Sequence, residues 1–336
     1  MKLNISENIQ NNERDTFFYA IDKNNRQIML LSLLSLLQSS NRVGKKIQVC
    51  ILSRWDELFD LLQLDFSVLE KKFPEHKLDI KKIVAWDINH IPIEKNTRPV
   101  SSYLRLLVPS LSKDVFNKVM YLDADTIIKE YPHFIHMGDH AVAALHEDIA
   151  WVHRFKYRYN TSIKWYFNSW VMFYDIDKFL SENLSDRAYN FLHKHNTLYP
   201  DQDALNYACK DIGIAELEKW YNILPRRYDS IQKEKQHVLH YAGKKPREKW
   251  QRIPSEYLSI FNRLQEDIYS ILDTQYGSTI SISEEINCLE KYLYYTKKIA
   301  KVTLGDLYYL LLNLKRDSYE YWVSGIIKEW PWFSEK

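Results

Sequence analysis

Two aspartates, Asp123 and Asp125, end the apolar part of the segment KVMYLDADTIIKE at residues 118–130. The four residues before them, Val119 to Leu122, suit a buried strand, where a carboxylate pair has no place. On an extended chain, side chains at i and i+2 face the same way, so the two carboxylates address one point. Oxygen donors so placed suit a hard divalent cation such as Mg²⁺ or Mn²⁺, which usually brings a phosphate with it. The same D-x-D also suits a solvated turn, and the pattern alone leaves both readings open.

Other elements must carry that pair to a binding rim. Residues 16–21 read as a strand, 22–27 as a loop and 28–37 as a buried amphipathic helix. At about ten residues that apolar run is too short to span a bilayer. Residues 46–53 read as the next strand, 55–72 as helical, 77–85 as strand-like, and 100–111 as a helix before the strand that opens at Lys118. Such alternation predicts an α/β fold with a mostly parallel sheet. Ligands of these sheets bind beyond the carboxyl ends of the strands, where Asp22 and Asp123 would both lie. The expected organisation is a tail at 1–14, a catalytic domain at 15–250 and a helical appendage at 251–336, with helices at 254–272, 284–300 and 303–329.

The balance of 46% hydrophobic and 27% charged residues permits a sizeable core, and a net charge of +2 gives no field to recruit nucleic acid. Cys50, Cys209 and Cys288 lie far apart, in neither a metal spacing nor a disulfide framework. They read as buried thiols of a reducing compartment. The opening MKLNISENIQNNERD has no apolar core of a signal peptide, so a cytoplasmic location is expected. With 24 Tyr and 10 Trp the chain is aromatic, which suits sugars, membrane interfaces and cores alike. Residues 291–316 interleave six Lys/Arg with five Tyr against one Asp, and WPWF follows near the end. That segment suits the cytoplasmic face of the inner membrane as a peripheral anchor; a solvated helical face is the competing reading.

Six motifs follow one another across residues 16–250: YAIDKN, YLRLLVP, YLDAD, YFNSWVMFYDIDKF, YPDQDALN and HYAGKKP. Together they resemble the family 8 glycosyltransferases, which are retaining, metal-dependent and use nucleotide sugars. The likeness is greatest to the bacterial enzymes that add glucose or galactose to the lipopolysaccharide core. The resemblance implies a GT-A-like, single Rossmann-type nucleotide-sugar-binding domain. It implies that Ala20, Asp22 and Asn24 hold the uracil and ribose, and that Arg105 touches donor phosphate or sugar. Asp123, Asp125 and His240 would bind the metal, with Ala124 against the nucleotide sugar. Asp148 would hold the donor sugar, Asn168 and Ser169 would flank it, and Asp201 and Gln202 would lie under its anomeric carbon. Gly243 and Lys245 would hold the diphosphate.

Ordinary roles compete for many of these residues: a loop acid at Asp22, a surface ion pair at Arg105, a turn at Asn168, a helix cap at Asp201. His240 competes with a structural histidine, a role that suits His237 better. Tyr157, Tyr159, Trp165, Tyr166 and Phe167 suit either an acceptor site or core packing. The chain also departs from the family twice. Trp170 stands where the family usually has Gly, which puts donor choice in question. HYAGKKPREKW is one residue shorter than usual between Gly and Lys-Pro, and Arg247 replaces a Trp, so Lys244 competes with Lys245.

The implied reaction moves a hexose from a UDP-sugar, with Mn²⁺ or Mg²⁺, to a hydroxyl of a lipopolysaccharide or lipooligosaccharide core or a lipid-linked glycan. Capsule, teichoic-type glycan or protein are alternative acceptors. A nucleotide-sugar hydrolase and a non-catalytic sugar-binding protein are the alternatives of other classes.

Overall fold

Uncharged runs of aromatic and β-branched residues build the centre of the sheet, as their fit to a pleated, buried surface requires. The computed structural model describes residues 14–54, 56–89, 91–92, 99–224, 236–241 and 255–276. The chain runs β1 (Asp15–Ala20), α1 (Arg26–Arg42), β2 (Ile47–Ser53), α2 (Asp56–Lys72) and β3 (Lys77–Lys82). Short helices α3 (Ala85–Ile88), α4 (Ser101–Leu104) and α5 (Val108–Ser112) lead to β4 (Lys118–Leu122). Then come β5 (Thr126–Ile128), β6 (Val142–His146), α6 (Ile149–Tyr159), β7 (Phe167–Asp175), α7 (Ile176–Ser181), α8 (Leu184–Lys194) and α9 (Pro200–Ala208). β8 (Ala215–Glu216), β9 (Val238–His240) and α10 (Ser255–Tyr276) complete the described elements.

Seven strands form one sheet in the order β3-β2-β1-β4-β7-β6-β8. The first four are parallel, β7 runs antiparallel to both β4 and β6, and β8 is parallel to β6. The expected mostly parallel α/β sheet is therefore present, with one antiparallel strand in its middle. The order turns outward in both directions between β1 and β4, which makes their carboxyl ends a topological switch point and a natural crevice.

The expected helix at 100–111 is broken into α4, a 3₁₀ turn at Arg105–Leu107 and α5. Pro109 supplies the reason. Without an N–H it cannot bond the carbonyl of Arg105, and that carbonyl takes the N–H of Val108 instead. The tightened turn carries Arg105 into the interior, where it is 5% exposed.

Helix α1 buries Ile28 to Leu37 against the sheet. Its serines are part of the scaffold. The hydroxyl of Thr126 donates to the carbonyl of Asp123 at 2.9 Å, so it accepts from Ser32 at 2.9 Å, which in turn accepts from Tyr19 at 3.0 Å. Ser35 accepts the N–H of Ile128 at 2.8 Å. The turn after the two aspartates is thus tied to α1.

Two compact units are distinguished: residues 1–147 with 165–272, and 148–164 with 273–336. The first holds both sheets. Leu264, Ile268 and Ile271 of α10 join its hydrophobic core, so the helix expected at 254–272 packs with the sheet elements. The second unit contains α6, where Arg154 lies over the Trp151 ring at 4.1 Å. The helices expected at 284–300 and 303–329, Cys288, and the basic aromatic stretch at 291–316 lie outside the described residues. Cys50 and Cys209 are buried free thiols, as expected. Among the described residues no helix is long and apolar enough to cross a membrane.

His76 gives the fold a dependence on pH. It is 5% exposed; its Nδ1 accepts the N–H of Ile47 at 3.3 Å and its Nε2 faces Asn41 Oδ1 at 2.7 Å. A proton on Nδ1 would meet that backbone N–H head-on. Burial first, and Arg14 second, hold the His76 pKa below its ordinary value, with Glu75 opposing them. The unfolded chain therefore takes up the proton first as pH falls. Stability from this residue is complete above the unfolded value of about 6.5 and declines below it. Melting curves of wild type and His76→Gln should show the wild type losing stability relative to the variant between neutral and mildly acidic pH. Parallel curves would contradict this.

Candidate active site

The two-stranded ribbon of β5 and β9 completes what β4 begins. Antiparallel pairing sets Thr126 opposite His240, and the N–H of Tyr241 reaches the carbonyl of Asp125 at 2.9 Å. His240 Nε2 then lies 3.1 Å from Asp125 Oδ1 and 4.0 Å from Asp123 Oδ2. Ligand atoms of Asp123, Asp125 and His240 all fall within 4.8 Å of one another. The expected metal trio is thus gathered at one point, although 115 residues separate Asp125 from His240.

On the other side of β4, pairing with β7 sets Leu122 opposite Val171, and Asp123 donates its N–H to the Trp170 carbonyl at 2.9 Å. Asn168 and Ser169 are thereby brought beside the aspartates, 1% and 0% exposed. Helix α9 packs behind them. Its Gln202 accepts the Ser169 N–H through Oε1 at 3.1 Å and donates from Nε2 to Tyr166 at 3.2 Å. Ser169 Oγ donates to Asp201 at 3.0 Å. Tyr199 is the residue before the first turn of α9 and Pro200 lies in that turn, so Asp201 does not cap the helix.

Arg105 joins these parts. It pairs with Asp123 at 2.8 Å and with Asp201 at 3.0 Å, and donates to the Ser169 carbonyl at 2.6 Å. Its guanidinium lies over the Tyr121 ring at 4.7 Å. Burial alone would lower its pKa, but the two carboxylates outweigh it and hold Arg105 charged. Burial pushes Asp123 up to about 6; Arg105 pulls it down while Asp125 pushes it up again. Asp125 ends below the ordinary value, because the nearby His240 overcomes the burial that would raise it.

This donor set fits a divalent cation. Two carboxylates and an imidazole are ligands that Mn²⁺ accepts. One buried guanidinium pairs with two carboxylates, Asp123 and Asp201, and the third, Asp125, faces only His240, so the site can take further positive charge. Asp125 is the most open of the trio, with its side chain 30% exposed.

The other expected residues are placed as follows. Ala20 ends β1, and Asp22 follows it, accepting the Asn24 N–H at 2.9 Å and the Ser101 hydroxyl at 3.2 Å. Ala124 is buried between the aspartates. Asp148 opens the second unit, immediately before α6. Gly243, Lys244, Lys245 and Arg247 lie outside the described residues. His237 is structural, as expected, with its Nδ1 3.1 Å from the Tyr131 carbonyl and its ring stacked on Tyr221. Of the aromatic stripe, Tyr166 and Phe167 are core residues, while Tyr157 is exposed. Trp170 is half-buried, its ring edge-on to that of His240 with centroids 4.7 Å apart.

Sequence reasoning missed Glu147, which accepts from Asn168 Nδ2 at 2.9 Å, and Asn222, 3.0 Å from His240 Nδ1. The acidic pair at 147–148 is a signal for the first. Asn222, an amide in a turn, carries none.

A nucleotide-type α/β sheet with paired acids at the switch point defines a GT-A glycosyltransferase fold. The fold matches the crystal structure of the galactosyltransferase LgtC with donor and acceptor sugar analogs, at a TM-score of 0.58 and 16% identity, over 75% of this chain and 95% of that one. The bifunctional glycosyltransferase WbbM matches at 0.59 and 15% identity, over 79% of this chain and 52% of that one. At such identities the likeness is one of fold.

The chain belongs to glycosyl transferase family 8, whose sequence model matches residues 16–253. The lipopolysaccharide 1,2-glucosyltransferase of Escherichia coli (strain K12) is 28% identical over 179 residues, 46% of this chain and 51% of that protein. General stress protein A of Bacillus subtilis (strain 168) is 29% identical over 139 residues, 40% of this chain and 47% of that protein. The chain thus spans about half the length of these relatives.

The buried charges yield a stability test. Arg105→Met keeps an unbranched side chain but removes the guanidinium that pairs with Asp123 and Asp201. Urea denaturation should show a loss of about 3–5 kcal/mol, the usual result of stranding buried carboxylates. Adding Asp201→Asn should restore part of it. An unchanged midpoint in the single variant would show that the pairs carry no such weight.

Proposed function

We propose that the chain is a retaining hexosyltransferase that moves glucose or galactose from a UDP-sugar to a hydroxyl of a bacterial surface glycan, such as a lipopolysaccharide or lipooligosaccharide core. The observation that carries this is the convergence of Asp123, Asp125 and His240 beside Ser169 and Gln202 at the switch point. The family and the lipopolysaccharide glucosyltransferase relative support the hexose and the acceptor class.

In this reading Asp123, Asp125 and His240 hold Mn²⁺ or Mg²⁺, which as a Lewis acid offsets the charge gathering on the departing diphosphate. Ala20, Asp22, Asn24 and Ala124 hold the nucleoside end. Asn168 orients the sugar hydroxyls, and Gly243 and Lys245 steady the diphosphate. Arg105 acts through Asp123 and Asp201, keeping both carboxylates where they are needed. Both ends of the Gln202 amide are engaged by Ser169 and Tyr166, and an amide is a poor nucleophile. That favours front-face attack by the acceptor hydroxyl, with retention, over a covalent intermediate on Gln202.

The test is a donor screen. UDP release is followed with UDP-sugars and Mn²⁺, with and without core oligosaccharides, and the product anomer is read by NMR. Wild type should release UDP faster with acceptor present and form the α-linked product. Asp125→Asn should lower the rate by at least about 100-fold, as loss of a charge-stabilising group does. Trp170→Gly should broaden the donor ranking, because its ring occupies space beside His240. Release that ignores every acceptor would favour a hydrolase, and an inverted product would exclude the retaining route.

The basic aromatic stretch at 291–316 supports a further proposal, that the cytoplasmic protein meets lipid-linked acceptor at the inner membrane surface. Each Lys or Arg near anionic lipid contributes about 1 kcal/mol. A chain ending at Glu290 should lose sedimentation with anionic liposomes while still binding UDP. Equal sedimentation of both proteins at low salt would exclude this role.

A further inference from the structure

His240 can serve a cation only through a nitrogen that carries no proton. Which nitrogen that is depends on a chain of buried amides behind it. Asn168, Asn222 and His240 are each 1% exposed. The N–H of Trp170 donates to Asn168 Oδ1 at 2.9 Å. A backbone N–H cannot be turned around, so the oxygen of Asn168 must lie on that side. Its NH₂ then faces Glu147 Oε1 at 2.9 Å, and a carboxylate accepts it. Both neighbours of Asn168 therefore demand the same orientation.

The sense propagates. Asn168 Oδ1 also faces Asn222 at 2.9 Å, and only the NH₂ of Asn222 can donate to it. Asn222 must then present its Oδ1 to His240 Nδ1, at 3.0 Å. An amide oxygen only accepts, so the proton of the ring sits on Nδ1. Nε2, the nitrogen left to serve a cation, faces Asp125 at 3.1 Å and Asp123 at 4.0 Å. Beside two carboxylates Nε2 carries either a proton or a cation, because a bare lone pair aimed at carboxylate oxygens is unfavourable.

The backbone holds Asn222 to this task. Ile223 takes the N–H of His240 on its carbonyl and gives its own N–H to Val238, both at 2.9 Å. Asn222 thus keeps its register against β9. The edge-on ring of Trp170 limits rotation of the imidazole from the other side.

We propose that Asn222 is a positioning residue of the metal centre: it fixes His240 in the Nδ1-protonated tautomer, its own orientation being set by Asn168 and the Trp170 N–H. This rests on reading Asp123, Asp125 and His240 as metal ligands. Neutral partners that orient a ligating histidine commonly act in this way.

Mn²⁺ alone is the probe, its free-ion EPR signal being titrated against the full-length chain. Asn222→Leu keeps the volume but offers no acceptor, and should weaken Mn²⁺ binding by about 10–100-fold. Asn222→Asp keeps an oxygen that can only accept from Nδ1–H, though it loses the donor to Asn168; its binding should stay close to wild type. In a His240→Ala background, Asn222→Leu should have no further effect. The ¹⁵N signals of the His240 ring, identified by their loss in His240→Ala, should show a protonated Nδ1 in metal-free wild type. They should show a mixture of tautomers in Asn222→Leu.

Wild-type binding by Asn222→Leu, or an equal fall in the Leu and Asp variants, would overturn the proposal and leave the metal centre standing. So would an unprotonated Nδ1 in wild type, a measurement that needs no variant of Asn222. Failure of wild type itself to bind Mn²⁺ would overturn both.

Discussion

The site depends on one buried cation that belongs to the chain. Arg105 lies between Asp123 at the end of β4 and Asp201 on α9, and it bonds the Ser169 carbonyl of β7 as well. Three elements are held by one planar fork, a task that suits guanidinium and not ammonium. This charge offsets the burial of both carboxylates. The fork is delivered by a helix that breaks. Pro109 denies Arg105 its helical partner, the turn tightens to 3₁₀, and the side chain enters the interior. A backbone defect thus fixes where the charged groups of the crevice stand.

Much of this frame was legible in the sequence, for physical reasons. Strand β4 announced itself because apolar residues ending in two acids cannot continue into a core. The parallel half of the sheet followed from alternating strand and helix periods, and α1 from its largely apolar run. Other parts leave little trace. The antiparallel direction of β7 is not written in its side chains, since a buried strand looks alike in either sense. β5 and β9 are three residues each, too short for a period. The break at Pro109 was visible as a residue but not as a consequence. Asp201 reads as a helix cap until Tyr199 and Pro200 are seen to begin the helix earlier.

The site residues divide in the same way. Asp123, Asp125 and His240 were found through charge at a strand end and through the order of motifs, and they do meet. Glu147 lay beside the acid the sequence singled out. Asn222 is neutral and follows a short turn, so nothing about its type distinguishes it from a loop residue. Its importance arises only from what it faces. Buried amides of this kind are silent in a sequence because their meaning is relational: each is specified by the partner whose protons it must match.

The ribbon of β5 and β9 has a consequence for how the protein is made. Every strand of the large sheet has left the ribosome once Glu216 has, and β9 begins only at Val238. A nascent chain of that length holds both aspartates but not His240. The strands that frame the crevice are therefore complete before its third side chain, His240, is made. That side chain arrives when β9 pairs with β5 and closes the longest loop in the site. The meeting of the three side chains is in this way deferred until the sheet that supports them has been synthesised.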